Sequence, residues 1–491
     1  MMSKRILIIS DSIKRQTGYA TVANNIIKNL KKQDDVTIAQ LGLADIPAPL
    51  EQQPDILYYS CIKVHNNCCK RGHTIEFWNP EDKTMTYLVP NLFVDVHPTQ
   101  GQYCPKAGNY PNDAYGQDSV FPVIQHFKPD IVIPINDIWG LYHINFLKHR
   151  KDFKFAPYLA VDSECFPIEI PAHRPDLPKI NTIQCIGASN KVVVFTDWAR
   201  DTINYSAKIV LNGKHFNHID VIPHGVDPAQ FRPLENRDEL REKYFGLKPN
   251  DGTIVIGSIQ RNQPRKRLDA IFQTLALLKQ KYSKSYKRVL CHFHCAMEDK
   301  AGWNLPWLAK YYDVVDMCVF DDKLRPGFGI PVKVLNEIVN CYDIHLSLTN
   351  SEGWGLPILE TMAAGVPNVI TDYSAHGDWT KDAAVKVKLA AKIHEIKTDH
   401  IKGIADINHA AKQISLLCES KKMRNEYSKK ALKRANELHW DKVCTKWIDL
   451  INDIDLSDLP EERYVLLKAD LNNLPKCPDD PITQSFILPE I

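Results

Sequence analysis

Residues 350–372, NSEGWGLPILETMAAGVPNVITD, are the stretch that decides the fold of this chain. The run reads as the end of a strand, a loop through Gly353 and Gly355, a short helix and a second strand. Glycine lets a backbone turn tightly and approach a ligand, because no Cβ stands in the way. Pro357 suits the first helical position, where its missing N–H costs nothing, and Gly365 is a favourable helix stop. The stretch therefore predicts a strand–loop–helix–strand unit of an α/β protein.

Two carboxylates accompany this loop: Glu352 lies just before it and Glu360 lies in the helix that follows. The free N–H groups and the positive dipole end of a helix N-terminus suit a phosphate. Carboxylates do not bind phosphate, but they accept hydrogen bonds from hydroxyl-rich groups such as ribose or a hexose. We therefore interpret the stretch as a nucleotide-sugar site. An acidic helix terminus in an ordinary α/β fold is the alternative interpretation of the same two glutamates.

The same residues carry a family resemblance. SEGWGLPILETMAAGVPNVITD resembles, nearly position by position, the donor-site signature of retaining glycosyltransferases of glycosyltransferase family 4 (glycosyl transferases group 1). The match includes both glutamates, the Gly-aromatic-Gly turn, the Leu-Pro, the Met-Ala-Ala-Gly run and the following Val-Pro. The resemblance implies the α/β fold called GT-B, in which two Rossmann-like doubly wound domains face a central cleft.

Length and composition agree with a soluble protein of more than one domain. A chain of 491 residues is expected to form two or three domains. The net charge of +2 and the 24% of charged residues give no sign of a nucleic-acid partner. No apolar run reaches the roughly 18 residues that span a bilayer, and MMSKRILIIS reads as a first strand instead of a signal peptide. We expect a cytoplasmic protein, either soluble or peripheral at a membrane surface.

The 13 cysteines are scattered, which favours reduced and mostly buried thiols. One cluster contains both cysteine and histidine: Cys61, His65, Cys68, Cys69 and His73. Its spacing fits no standard zinc finger, and adjacent cysteines suit a tetrahedral site poorly. We predict no metal at this cluster.

Two other patterns raise the question of a metal. His292 and His294 point to the same face of the strand VLCHFHCAM, between two cysteines, but buried sheet residues need no metal to explain them. Asp453 and Asp455 form an Asp-x-Asp pair, which reads as a solvated helix terminus. We therefore predict no metal cofactor.

The first 230 residues predict one doubly wound domain. The strand RILIIS, a turn at Gly18 and the helix YATVANNIIKNLKK are followed by further strands, among them DIVIPI and YLAVD, and by a hairpin through PEDK. The element IPHGVD resembles the family's linker between domains, with His224 where asparagine is usual. We place the acceptor-side domain at residues 1–230.

The remainder predicts a second doubly wound domain, which the resemblance makes the donor domain, at residues 231–455. Its strands include TIVIGSIQ and RVLCHFHCAM, and a polar region follows VITDYSAHGDWT. Helices then run through residues 404–455, and in the resembled family a C-terminal helix commonly crosses back to the first domain. The tail, residues 456–491, is rich in Pro and Asp and is expected to pack on the surface or to be partly disordered.

The basic loop RNQPRKR offers cations to a diphosphate that gains charge as it leaves, with Arg261 and Lys266 as the candidates. A solvated basic loop is the alternative. The family places an Arg and a Lys here against the donor phosphates, usually six positions apart. The separation is five in this chain, so Arg265 or Arg267 could share the role.

The resemblance assigns the other donor contacts. Gly18 would face the donor diphosphate, Glu352 the transferred sugar and Glu360 the ribose hydroxyls. The loop of Gly353, Trp354, Gly355 and Leu356 would contact the sugar and the distal phosphate through its backbone amides.

Asp162 stands at a strand end where many family members carry a histidine near the anomeric carbon and the acceptor. We treat this aspartate as a candidate acceptor-side catalytic residue. A carboxylate that caps a strand end is an equally good interpretation. Residues 318–321 are a candidate contact for the nucleotide base.

The resulting hypothesis is a retaining transferase that moves a hexose from a GDP- or UDP-linked sugar to a hydroxyl of a glycan, lipid or protein. In the family's accepted mechanism the departing phosphate itself assists the acceptor. A nucleotide-sugar epimerase or hydrolase of the same fold, or a non-catalytic sugar-nucleotide binding protein, are the alternatives. Lys28, Lys31 and Lys32 on the first helix would suit peripheral contact with an anionic membrane, although a solvated face explains them too.

Overall fold

The computed structural model describes most of the chain. The described residues are 3–43, 53–60, 63–64, 73–88, 116, 119–141, 143–144, 150–164, 166, 169–170, 180–321, 324, 329–395 and 400–454. Cys61, His65, Cys68 and Cys69 of the predicted cysteine cluster lie outside these ranges, as do Asp455 and the tail of residues 456–491. The predictions made for them stay predictions.

The first sheet has 11 strands in the described part of the chain. They are β1 (Lys4–Asp11), β2 (Val36–Leu43), β3 (Leu57–Ser60), β4 (Lys63–Val64), β5 (His73–Asn79), β6 (Thr84–Leu88), β7 (Ile131–Asn136), β8 (Lys154–Phe155), β9 (Tyr158–Leu159), β12 (Val192–Val194) and β13 (Ile219–Val221). A separate antiparallel pair lies between them in sequence, β10 (Glu169–Ile170) and β11 (Ile180–Asn181).

The order of the first sheet is β13-β12-β9-β7-β1-β2-β3-β5-β4, with β6 paired to β5 and β8 to β7. Strands β13 to β3 along this order are parallel neighbours, and most of their residues are buried, as expected of a parallel sheet. The antiparallel pair of β5 and β6 confirms the predicted hairpin through PEDK.

The second sheet is parallel throughout its six strands, in the order β16-β15-β14-β17-β18-β19. The strands are β14 (Ile254–Ile259), β15 (Val289–His294), β16 (Cys318–Phe320), β17 (Ile344–Ser347), β18 (Asn368–Thr371) and β19 (Val385–Val387). An antiparallel hairpin follows, β20 (Leu389–His394) and β21 (Ile401–Ala405). The sequence indicates only a polar region here, because β20 is almost entirely exposed and shows no apolar alternation.

Helices cover the sheets and connect their strands. They are α1 (Gly18–Leu30), α2 (Val120–Phe127), α3 (Ile138–Leu141), α4 (Thr182–Gly187), α5 (Asp197–Val210), α6 (Arg237–Phe245), α7 (Leu268–Lys281), α8 (Ser283–Tyr286), α9 (Leu305–Tyr311), α10 (Val332–Asn340), α11 (Leu356–Ala363), α12 (Ser374–Trp379), α13 (Ile407–Glu419), α14 (Lys421–Glu437) and α15 (Trp440–Asp453). Short 3-10 turns cover Arg150–Asp152, Pro264–Lys266 and Val315–Met317. No described helix is both long enough and apolar enough to cross a membrane.

The chain passes between the two sheets twice, and the two passages touch. Val226 N donates to Leu438 O at 2.8 Å, and Trp440 N donates to Val226 O at 3.2 Å. Helix α15 then packs on α1, and its Trp447 is fully buried with its ring 4.9 Å from that of Tyr158. The last described helix therefore completes the core of the first sheet, as the family resemblance implied.

The carboxyl ends of the two sheets approach each other. A Cβ added to Gly353, which follows β17, would lie 3.6 Å from the Ala160 Cβ that follows β9. A Cβ on Gly18, at the start of α1, would lie 3.5 Å from Leu356 Cδ1 at the start of α11. Loops from both sheets thus line one cleft, which is where open α/β sheets bind ligands.

Candidate active site

The loop before α11 has the backbone that its sequence predicts. Gly355 has a φ of +86°, and a Cβ there would lie 2.8 Å from Ile358 Cδ1, so glycine is required on two grounds. Pro357 lies in the first turn, and Gly365 follows the helix with a φ of +77°. No side chain caps this N-terminus in the described structure. The positive end of α11 therefore opens onto the cleft and favours a negative ligand.

Two cations meet Glu352 beside this loop. Lys266 Nζ lies 2.5 Å and Arg265 Nη1 2.6 Å from the same oxygen, Glu352 Oε2. Both cations belong to the 3-10 turn Pro264–Lys266, which follows β14. The next residue, Arg267, has a φ of +49° and ends that turn. Glu352 is itself held by its backbone N–H, which donates to Ser374 Oγ at 3.0 Å.

The pKa values of this group reflect competition between burial and charge. Burial alone would raise the pKa of Glu352, but Arg265 and Lys266 outweigh it and hold that pKa at about 2. Burial and the neighbouring Arg265 lower the pKa of Lys266 to about 8, although Glu352 opposes them. Glu352 raises the pKa of Arg265. At neutral pH the cluster is therefore two cations around one carboxylate, with net positive charge.

The other arginines of the loop point elsewhere. Arg261 Nε lies 3.3 Å from Asp299 Oδ2, and the Arg261 side chain is 57% exposed. Arg267 makes a bidentate pair with Asp269. Of the cations considered from sequence, the structure brings Lys266 and Arg265 to Glu352, and it leaves Arg261 at the rim with Asp299.

Glu360 lies on α11 as a half-buried residue, and its carboxylate has no hydrogen-bond partner among the described residues. Burial raises its pKa to about 7. A half-buried acceptor with no protein donor is suited to receive hydrogen bonds from ligand hydroxyls.

Trp354 contributes its backbone more than its ring to the cleft. The ring is buried and stacks on Trp379, with centroids 4.5 Å apart and an interplanar angle of 10°. Trp379 Nε1 donates to the carbonyl oxygen of Trp354 at 2.7 Å. The indole pair fixes the loop, so that its amides keep one orientation.

Asp162 faces this cluster from the first sheet. It lies 3.5 Å from Lys402 Nζ, and it accepts hydrogen bonds from Ser351 Oγ at 3.3 Å and Ser163 Oγ at 2.7 Å. Burial opposes ionisation, but Lys402 and Arg265 lower the pKa of Asp162 to about 2. The predicted acceptor-side carboxylate is therefore ionised and lies at the junction of the two sheets.

Three further residues at this junction were not found from sequence: Asp137, its partner Tyr19, and Lys402. Asp137 directly follows β7 and is hydrogen-bonded to Tyr19, and burial together with the nearby charge of Asp162 raises its pKa to about 7. A strand-end aspartate was the signal used for Asp162, and the same signal marks Asp137. Lys402 comes from the hairpin that the sequence did not reveal.

Two buried histidines lie near the cluster. His376 Nδ1 is 3.2 Å from Ser374 Oγ, its Nε2 has no partner among the described residues, and burial lowers its pKa to about 4. His224 Nδ1 is 2.8 Å from the hydroxyl of Tyr158, and burial lowers its pKa to about 3. Both rings are therefore neutral at physiological pH.

Comparison with protein families matches residues 240–434 to the family described as "Glycosyl transferases group 1". This stretch is a glycosyl transferases group 1 domain. The matched range includes Glu352, the two cations that contact it (Arg265 and Lys266), and Lys402 of the β20–β21 hairpin. The residues from the first sheet lie outside the matched range.

Two curated relatives align with about half of the chain. One is O-antigen chain mannosyltransferase B of Escherichia coli, 22% identical over 244 residues, which are 49% of this chain and 58% of the relative. The other is ORF330 of Acidianus filamentous virus 2, 23% identical over 242 residues, which are 49% of this chain and 64% of the relative. The chain thus aligns with less than two thirds of the length of either relative.

Solved structures match nearly the whole chain. Sucrose-phosphate synthase from Thermosynechococcus elongatus has a TM-score of 0.59 at 13% identity and covers 91% of this chain and 98% of its own. Anabaena Alr3699/HepE in complex with UDP and glucose has a TM-score of 0.57 at 12% identity, with 91% and 99% covered. A Rickettsia africae glycosyltransferase has a TM-score of 0.60 at 14% identity, with 92% and 98% covered. The fold is GT-B, as predicted.

Proposed function

We propose that this protein is a retaining glycosyltransferase, which moves a hexose from a GDP- or UDP-linked sugar to an acceptor hydroxyl. The observation that carries the proposal is the meeting of Arg265, Lys266 and Glu352 beside the uncapped N-terminus of α11. Fixed cations and a helix N-terminus stabilise the charge that develops on a departing diphosphate. The solved relative that contains UDP and glucose supports a nucleotide sugar as the donor.

In this proposal the second sheet holds the donor. Lys266 and Arg265 contact the diphosphate, with Arg261 available at the rim. The backbone of Gly353, Trp354, Gly355 and Leu356 faces the sugar and the distal phosphate, and Gly18 allows the phosphates to approach α1. Glu352 orients the transferred sugar and Glu360 accepts hydrogen bonds from the ribose.

The first sheet holds the acceptor. Asp162 and Asp137 accept hydrogen bonds from hydroxyl groups, which suits a glycan or a hydroxylated lipid or protein acceptor. The departing phosphate takes the proton of the attacking hydroxyl on the face of the sugar from which it leaves, so configuration is retained. The cations perform the electrostatic role of a metal, and we propose that transfer needs none.

The cellular setting is part of the same proposal. Six of the described cysteines are free thiols, which suits the reducing cytoplasm: Cys291, Cys295, Cys318, Cys341, Cys418 and Cys444. Lys28 and Lys32 pair with Asp227 and Asp441, and Lys31 pairs with Asp55, so contact of α1 with an anionic membrane would compete with these ion pairs.

The decisive experiment is a thermal-shift panel of nucleoside diphosphates and nucleotide sugars, followed by a turnover assay with the donor that binds. A shift restricted to one base is expected, with release of nucleoside diphosphate that depends on an added acceptor. Turnover without an acceptor would instead support an epimerase or hydrolase, and binding without turnover a non-catalytic protein. Full activity in the Glu360→Ala/Lys266→Ala double variant would overturn the proposal.

A further inference from the structure

Two histidines and an aspartate converge at the carboxyl edge of the second sheet, away from Glu352. His292 and His294 are two residues apart in β15, so both side chains leave the same face of the strand. Strand β16 pairs with β15, so that Cys318 lies opposite Cys291 and Phe320 lies opposite Phe293. Asp321, the next residue, therefore comes to lie beside His294.

The three side chains point their ligand atoms at one another. His292 Nε2 is 3.2 Å from Asp321 Oδ1, and His294 Nδ1 is 2.5 Å from Asp321 Oδ2. In the described part of the chain this is the one group of three or more His, Cys, Asp or Glu residues whose ligand atoms all lie within 4.8 Å of one another. Ligands bonded at about 2.0 Å to a tetrahedral zinc ion stand about 3.3 Å apart. A cation would fit between these atoms with small side-chain adjustments.

Tyr342 supports the geometry from behind. Its hydroxyl is buried and lies 2.8 Å from His292 Nδ1, the ring nitrogen that faces away from Asp321. Histidines that bind metals nearly always have their second nitrogen held in this way, which fixes the orientation of the ring. A tyrosine hydroxyl can donate or accept, so it holds the tautomer whose Nε2 lone pair is free for a metal.

The neighbouring cysteines do not complete the group. Cys291 and Cys295 alternate with the two histidines along the chain and pack with Phe293 in the apolar core on the other side of the sheet. The site consequently offers two imidazole nitrogens and one carboxylate. Three such ligands with an open fourth position suit zinc, and the same donors accept cobalt.

We propose that His292, His294 and Asp321 bind one divalent transition-metal ion, with water in the remaining position. The ion would join the edge strand β16 to β15. This site is separate from the cluster of Lys266 and Glu352, which follow β14 and β17, although its Asp321 belongs to residues 318–321, the candidate contact for the nucleotide base. A bound metal ion goes beyond the proposed transferase activity.

The test uses the full chain, freed of metal by dialysis against a chelator and then titrated with Zn²⁺ or Co²⁺ alone. We expect one equivalent to bind, the visible absorption of a four-coordinate cobalt site to appear, and zinc to raise the unfolding temperature. Asp321→Asn and His294→Gln should weaken binding on the order of 100-fold, and Tyr342→Phe about 10-fold because it removes the support of His292. His409→Gln on α13 is the matched control and should bind like the wild type.

The result for the wild type decides the matter even if a variant folds poorly. Absence of saturable zinc or cobalt binding to the wild-type chain would show that the three residues are only a hydrogen-bonded network. Unchanged affinity in folded Asp321→Asn and His294→Gln would place the metal elsewhere and equally overturn the proposal. These titrations contain no nucleotide sugar, so a negative result would contradict the metal site without contradicting the proposed transferase function.

Discussion

The two sides of the cleft carry opposite charge. The first sheet ends in carboxylates, namely Asp137 after β7 and Asp162 after β9, whereas the second-sheet side presents Arg265, Lys266 and Lys402. Both sides are built from the carboxyl ends of parallel strands, so the fold alone does not separate their roles. In the proposed function the charges separate them, because a cationic surface suits the anionic diphosphate of a donor and a carboxylate surface suits the hydroxyls of an acceptor.

One ion pair joins the two sides. Lys402 reaches from the hairpin of β20 and β21 to Asp162 on the first sheet, and its side chain is 7% exposed. This contact, together with the hydrogen bond of Ser351 to Asp162, brings the proposed acceptor-side carboxylate to the loop that precedes α11. If the charge comparison is right, substitutions on the cationic side should change use of the donor, and substitutions on the acidic side should change use of the acceptor.

The largest effect is expected for Lys266→Ala. The substitution removes a buried cation beside the proposed leaving diphosphate and leaves Glu352 with one partner fewer. We expect kcat to fall by about 10²–10³, measured as acceptor-dependent release of nucleoside diphosphate. Lys279→Ala, which removes an exposed ion pair with Asp313, is the control. A Lys266→Ala enzyme with the turnover of this control would remove the cationic side from the mechanism.

The second prediction compares two arginines. The family resemblance assigns the donor phosphates to Arg261 and Lys266, but the structure brings Arg265 to Glu352 and leaves Arg261 with Asp299. We expect Arg265→Ala to lower kcat/KM for the donor by roughly 100-fold and Arg261→Ala by less than about 10-fold. Equal losses in the two variants would mean that Arg261 leaves Asp299 when the donor binds.

The third prediction concerns Asp137→Asn on the acidic side. Loss of a charged hydrogen-bond acceptor should raise KM for the acceptor about 10-fold and leave KM for the donor unchanged. Because the pKa of Asp137 is raised to about 7, the wild-type carboxylate forms as the pH rises through 7. KM for the acceptor should therefore fall between pH 6 and 8 in the wild type, and it should stay level in the variant. An altered donor KM would contradict the separation of the two sides.

The smallest effect is expected for Glu360→Gln, and it has two opposed parts. Burial raises the folded-state pKa of Glu360 to about 7, so the folded protein keeps a proton that the unfolded chain loses above its ordinary pKa. Stability from this group is thus greatest below pH 4.5 and falls as the pH rises toward 7. The neutral glutamine should raise the free energy of unfolding by about 1 kcal/mol at pH 8, after allowance for partial exposure, and change little at pH 4.

The same variant should bind the nucleoside diphosphate about 5-fold more weakly, because a carboxylate accepts hydrogen bonds from the ribose hydroxyls more strongly than the glutamine amide oxygen does. Denaturant unfolding at the two pH values and calorimetric titration measure the two parts. Tighter nucleotide binding by Glu360→Gln would remove Glu360 from the donor site.

Much of this architecture could be predicted from sequence, because parallel strands buried on both faces are continuous apolar runs. β1, β7 and β14 are of this kind, and the glycines and proline around α11 mark its ends. The hairpin of β20 and β21 could not be predicted, since five consecutive residues of β20 are exposed and nothing in their order distinguishes a strand. Lys402 was missed for that reason.

The choice between arginines was also beyond the sequence. Arg261 and Arg265 occupy one short basic loop, and only the 3-10 turn at Pro264–Lys266 decides which side chain points inward. Asp137, by contrast, can be predicted from sequence, because it follows a buried strand as Asp162 does.

The double passage of the chain between the sheets has a consequence for the order of folding. Ile26 and Val22 on α1 share a core cluster with Val443, Trp447 and Ile451 of α15, more than 400 positions later in the chain. Contacts of such sequence separation carry a large loop-closure cost and form slowly. During synthesis the strands of the second sheet can pair with strands that are close to them in sequence. Helix α1 can complete its packing only after α15 has been made, which happens after the whole second sheet. The part of the molecule that is made first is therefore the last to close its core.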